Sequence, residues 1–468
     1  MENAASADKG INWREFAPVL AVVLNSLIWF TLITVMFNNM VGDMHLQLLL
    51  KNALFGAYVV AIAISAVIGG TLIPRARRTG LALWIAFGAA MSALMAAMPT
   101  NQLPINLLFS FLLGFSIGIG LPSALAYFAD ATRIEKRGLC GGITWGAVGF
   151  GILAVATLVT MTQTAVGLEL LAAWRGFGLL FFVLLSKGKQ VNPLAQRSQS
   201  YKQILERREL ILYLIPWIMF SLINFIEFPI LTKLFGGFAA YVNFIEYAIT
   251  GVFALIGGFF ADRSGRKRVV ITGFIILGIN YAMLSLFAAN PLAWDLFPCL
   301  AGAAWGFFAV VFFMTLWGDL AGEGKKEKYY ILGGLPYLLA SFMTSVIQPY
   351  TDLIQPTMSF SIGSFFLFVA VLPLMYAPET LPETLMKNRD FKSYAEKALD
   401  KAMKEARKTQ KKNNKRTQKN TNETDEANEA NEANEEPDES DFNAEEIGLY
   451  YEEVQKIEAI SDATKDPS

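Results

Sequence analysis

The chain has 468 residues, 54% hydrophobic and 17% charged, with a formal net charge of −1 and a mean hydropathy of +0.40. Soluble globular proteins carry about 25% charged residues, and here many of the charges sit in residues 387–468. The apolar block over 10–385 has no polar face between its runs, which excludes a soluble multidomain protein. The near-zero net charge offers no field for nucleic acid.

A helix crossing about 30 Å of hydrocarbon needs roughly 20 apolar residues. The polar N-terminus, 1–15, leads directly into the first apolar run with no small-residue cleavage site, so that run is expected to be a retained span. Apolar runs predict spans near 16–38, 50–72, 80–98, 103–128, 140–163 and 168–186. A second set is predicted near 209–231, 239–260, 269–289, 293–317, 331–351 and 357–377. The domains expected are an N-terminal six-helix bundle (16–186), a linker (187–208), a C-terminal bundle (209–377), a basic segment (378–420) and an acidic tail (421–468).

Loop charges set the orientation. Arg75, Arg77, Arg78, Arg133, Lys136, Arg137, Arg263, Arg266, Lys267, Arg268, Lys325, Lys326 and Lys328 all follow even-numbered spans, and six further basic residues lie between Lys187 and Arg208. The opposite loops hold little beyond Lys51 and Lys233. By the excess of Lys and Arg in cytoplasmic loops, both termini are expected in the cytoplasm, which requires an even number of spans. The chain also repeats itself: IGGTLIPRARRTG (68–80) aligns with IGGFFADRSGRKR (256–268) at an offset of 188, and the Asp130 segment with the Asp319 segment at 189. Two parallel six-span repeats are an architecture of secondary transporters.

Ionisable groups inside a membrane are costly and point to function. Glu227 lies near the outer end of span seven beside Asn224, before Pro229, a residue that should kink or end the helix. Glu246, early in span eight, shares a helical stripe with Asn243 and Thr250. Either carboxylate could bind a cation or carry a proton, and the two could share a site; a structural Glu at the outer interface fits the same residues. Asn25 and Asn38 in span one lie too far apart for one compact ligand, and at least one is expected simply to bond a neighbouring helix. Cys140 and Cys299 read as small apolar residues, and the single histidine, His45, falls in an outer loop, so no metal cluster or cofactor is implied.

The loop after span eight, GGFFADRSGRKR, resembles the signature loop of the major facilitator superfamily through Gly258, Asp262, Arg263, Gly265, Arg266 and Lys267. The first-half loop keeps Gly70, Leu72, Arg75 and Arg78 but has Pro74 at the Asp position and Arg77 at the inner Gly, so Asp130 is expected to pair with Arg75 or Arg78 instead. YFADATRIEKRG (127–138) resembles the end of span four in that family, and YAPETLPET (376–384) is similar to the segment after the last span of sugar porters. The resemblance implies an all-α polytopic membrane protein with twelve transmembrane helices as two six-helix parallel repeats. It implies a loop that latches the cytoplasmic side, and a path lined by spans one, four, seven and ten. No cation sits in the middle of those four spans, which favours a neutral, cationic or hydrophobic solute over a strongly anionic one.

The expected function is therefore a secondary active transporter or facilitator, not an enzyme, with a small solute, protons or another coupling ion, and membrane lipids as partners. A transporter-like receptor signalling through its tail is the alternative. In the tail, 387–420 carries thirteen Lys/Arg beside a modest apolar stripe, as in a helix lying on the inner leaflet, although a solvated charged helix fits equally. Residues 421–440 are acidic and poor in hydrophobes, which predicts disorder, and 442–460 has the spacing of a short docking helix.

Overall fold

Twelve long helices form the body of the computed structural model. The structure describes residues 10–44, 46–97, 102–186 and 199–382, with Met386, Lys397, Lys401, Met403, Lys404, Arg407 and Lys408. His45, loop residues 187–198 and the tail expectations, apart from those few positions, lie outside the described residues. The first half contributes α1 (Trp13–Asp43), α2 (Leu48–Leu72), α3 (Arg77–Ala97), α4 (Leu103–Ala131), α5 (Arg137–Thr160) and α6 (Thr164–Leu185). The second contributes α7 (Arg208–Phe235), α8 (Ala239–Ser264), α9 (Arg266–Leu286), α10 (Pro291–Ala321), α11 (Lys326–Ile347) and α12 (Pro356–Tyr376).

Among the described residues, eleven continuous stretches are long and apolar enough to cross a membrane, and one of them, Leu48–Ala96, is 49 residues long. At 1.5 Å per residue, roughly 70 Å of helix exceeds one bilayer and must make two crossings. That stretch is α2 and α3, joined by the 3-10 turn Ile73–Ala76 with Pro74 in its first turn. Twelve crossings result, an even number. Every backbone group in hydrocarbon must be paired internally, so apolar runs of this length have only the helix to adopt. Their outer faces stay apolar: Leu83, Leu158, Phe365 and Met375 are each at least 60% exposed.

Pro229 neither ends α7 nor interrupts it. The helix runs on to Phe235 and stops at Gly236, in the left-handed region at φ 55°. Near the middle of α10, by contrast, Ala309–Thr315 is π-helical, a widened turn that shifts the register of the residues beyond it.

The halves meet through α5 against α8, α2 and α4 against α11, and α5 against the π-helical segment of α10. The α5–α8 contact is built from small residues. A Cβ on Gly142 would lie 2.6 Å from the Ala254 carbonyl oxygen, and one on Gly138 would lie 2.7 Å from that of Gly258. Only glycine allows the two backbones this close. At α2–α11 the fit is looser near Gly56, whose nearest foreign atom is 3.9 Å from its Cβ position, in Phe342.

Candidate functional site

At the end of α8, Asp262 points across the boundary between the halves. Its two carboxylate oxygens accept the backbone N–H groups of Gly138 and Leu139, each at 2.7 Å, in the first turn of α5. Those amides have no partner within their own helix, and the positive helix end favours an anion there. Gly265 turns the chain at φ 100°, a conformation that side chains rarely allow. The α9 N-terminus that follows is capped by Glu379, whose oxygens accept the N–H groups of Arg266 (2.8 Å) and Lys267 (3.1 Å). Arg263 is exposed, its guanidinium 5.8 Å from the Phe259 ring centroid.

Arg266 is fully buried. It pairs with Asp319 on α10 (3.0 Å), with Asp262 (3.3 Å), and donates to the Ile134 carbonyl of the other half. Arg137, at the start of α5, also pairs with Asp319. Two cations and two acids thus close a buried quartet, in which only Arg137 comes from the first half.

The first-half loop builds the matching arrangement from different residues. Asp130 pairs with Arg77 at 2.6 Å and with Lys326 from α11. Its partner is neither Arg75, which is exposed, nor Arg78, which reaches Ser186 Oγ at 3.0 Å. Arg77 binds Glu327 as well, at 2.7 Å, with Glu327 buried at the N-terminus of α11. Arg77 and Arg266, Asp130 and Asp319, and Arg137 and Lys326 are each separated by 189 positions. The loop aligned at 188, which set Arg77 opposite Gly265 and concealed its equivalence to Arg266. Glu327, missed in the sequence, stands 189 positions from Gly138, so the acid absent at Pro74 is supplied by the facing helix.

The membrane-depth candidates separate on inspection. Asn25 joins α1 to α6: its Nδ2 donates to the Trp174 carbonyl (2.7 Å) and its Oδ1 accepts from Arg175 (2.9 Å). Asn38, near the end of α1, is exposed. Glu227 is buried between α7 and α12, where Oε1 accepts from Ser359 (2.7 Å) and Oε2 has no partner among the described residues. Asn224, Asn243 and Glu246 are half-buried and make no described hydrogen bond.

Arg175 carries a charge into the bundle that the lining-span reading did not weigh, because it sits on α6. It is fully buried, bound to Asn25 and Ser26 (2.7 Å), and sandwiched by Trp29 and Trp84 at 4.4 and 4.7 Å. Those rings, the Asn25 amide oxygen and the Ser26 hydroxyl take the place of a carboxylate.

No family model matches the chain, and no curated protein matches it in sequence. Solved structures do. A proton:xylose symporter of the major facilitator superfamily, XylE, bound to 6-bromo-6-deoxy-D-glucose, superposes with a TM-score of 0.58 at 17% identity, covering 79% of this chain and 97% of that one. The human organic anion transporter MFSD10 (TETRAN) gives 0.59 at 14% identity, covering 78% and 100%. The superfamily transporter FucP, in the outward conformation, gives 0.60 at 13%, covering 78% and 98%. With twelve helices in two six-helix repeats, this multi-pass membrane protein has the fold of the major facilitator superfamily.

Proposed function

We propose that the chain is a secondary active transporter or facilitator that moves a small solute across a membrane by alternating access. The observation that carries this reading is the pair of largely buried quartets, which tie the two halves together at one membrane face by bonds that a relative tilt of the halves would break. Arg77–Glu327, Lys326–Asp130, Arg137–Asp319 and Asp262 on the α5 amides all cross between the halves. Buried pairs add little net stability over apolar packing, but losing one partner costs several kcal/mol. Such contacts therefore suit a state that must be well defined and yet separable.

By the excess of Lys and Arg in its loops, this face and both termini are cytoplasmic on this reading, and the latched state opens to the outside. The half-buried residues of α7, α8 and α11, among them Asn224, Asn243, Glu246 and Tyr337, face the path on this reading, and Glu227 and Glu246 are the carboxylates available for proton coupling. Purified protein in sealed proteoliposomes, screened for solute uptake with and without a pH gradient, tests the proposal. Saturable uptake that preloaded solute accelerates is expected. Flux indistinguishable from protein-free vesicles under every gradient would favour the receptor reading instead.

A further inference from the structure

Among the described membrane-depth charges, Glu246 stands apart. Arg175 has its polar and aromatic cage and Glu227 has Ser359, whereas Glu246 has no hydrogen bond or ion pair among the described residues. A carboxylate at that depth must take up a proton or a cation. On its own helix, half-buried Asn243 and buried Thr250 extend the polar stripe. Against it lies α10, so close that a Cβ on Gly302 would be 2.8 Å from Ile249 and 3.1 Å from the Glu246 carbonyl oxygen.

One turn beyond Gly302 begins a chain of aromatic rings. Trp305 lies 6.0 Å from Tyr337, Tyr337 lies 5.3 Å from Phe313, and Phe313 lies 5.5 Å from Trp145 of the first half. Phe313 belongs to the π-helical turn, within which it is half-buried while the neighbouring Phe312 is fully buried. The Trp145 indole N–H is buried with no acceptor among the described residues, an orphan donor of the kind that marks a missing partner.

We propose that Glu246, the rings of Trp305, Tyr337 and Phe313, and the indole N–H of Trp145 form an organic-cation site, whose ligand is an ammonium-type cation with a flat apolar body. The inference rests on the transport reading for its purpose and narrows the solute to one class. The carboxylate supplies the counter-charge, the ring faces attract the cation through their quadrupoles, and the indole N–H suits an acceptor on the ligand body. The one buried cation described at membrane depth, Arg175, is enclosed between Trp29 and Trp84.

Benzyltrimethylammonium, which cannot lose its charge, and benzenesulfonate, an aromatic anion of similar size, are the probes for the full-length protein in detergent micelles. Calorimetric titration is expected to show the cation binding at least about tenfold more tightly than the anion, with Glu246→Gln weakening the cation by about tenfold or more. Tyr337→Leu and Trp305→Leu are expected to weaken it less, and they serve in place of Glu246→Gln if that variant does not fold. Asp352→Asn, an exposed acid outside the site, is expected to leave binding unchanged. Equal binding of the two probes, no binding of the cation, or cation binding indifferent to every site variant overturns the proposal. Counterflow of the cation in proteoliposomes separates the two claims. Charge-selective binding that depends on Glu246 without counterflow leaves the site standing and removes transport. Saturable flux of other solutes with no cation binding does the reverse.

Discussion

The two signature loops stand at equivalent places in the repeat, yet only the α8–α9 loop carries its acid. Asp262 reaches over to the amides of Gly138 and Leu139, whereas at the α2–α3 loop the position is Pro74 and the facing helix supplies Glu327. What the halves share is therefore the charge pattern of the quartet rather than the residue in the loop. The swap has an electrostatic consequence. Separating the first quartet leaves Arg77 with Asp130 and Lys326 with Glu327, two neutral sets. Separating the second leaves Arg137 without an acid from the quartet on one side, and Arg266 with Asp262 and Asp319 on the other. Since attraction between separated charges grows as the local dielectric falls, the α5–α8 side is the harder one to part. Its glycine-lined contact points the same way.

The largest effect is expected from Asp319→Asn, which leaves Arg137 with no acid from the quartet and Arg266 with Asp262 alone. A loss of about 3–5 kcal/mol is expected, visible as a collapse of the thermal unfolding temperature in micelles. Asp130→Asn should cost less, because Arg77 keeps Glu327; equal losses would break the asymmetry. Packing comes next. Gly142→Leu forces atoms into the Ala254 backbone and should cost about 1–3 kcal/mol, while Gly56→Ala, whose Cβ would meet Phe342 at an ordinary contact distance of 3.9 Å, should be close to neutral by the same melt.

Moving the acid back sharpens the comparison further. Glu327→Gly alone should destabilise the protein by removing one cross-half pair, and adding Pro74→Asp should restore part of the loss. A double variant no more stable than the single would show that the two acids are not interchangeable. The smallest effect belongs to the exposed Lys233–Asp352 pair, whose side chains are 50% and 82% accessible. Lys233→Ala should change stability by less than about 1 kcal/mol.

Much of this was legible beforehand. Apolar run length and loop charge gave the crossings, and Asp262 and Gly265 were readable because a tight turn and a cap are local demands on single residues. Arg77 was not, since the stretch from Gly70 to Arg77 is one residue shorter than that from Gly258 to Arg266, and a fixed offset of 188 passes it by. Glu327 and Arg77 meet across 250 residues of chain, and no local pattern announces such a pair. Arg175 is a charge within the apolar run 168–186, but its aromatic cage depends on how α1, α3 and α6 pack. Asn25 illustrates the converse: a polar residue on a lining span that is spent on joining two helices.

The central claim is that the face bearing the signature loops opens and closes, with the α2–α11 side moving more. Spin labels at the exposed positions Arg75 and Lys325, compared with labels at Lys136 and Arg263, would measure this by pulsed electron–electron distance spectroscopy in nanodiscs. The account predicts short and long populations for the first pair, with Glu327→Gln enriching the long one, and a smaller spread for the second pair. A single short distance for both pairs, unchanged by Glu327→Gln, would contradict it.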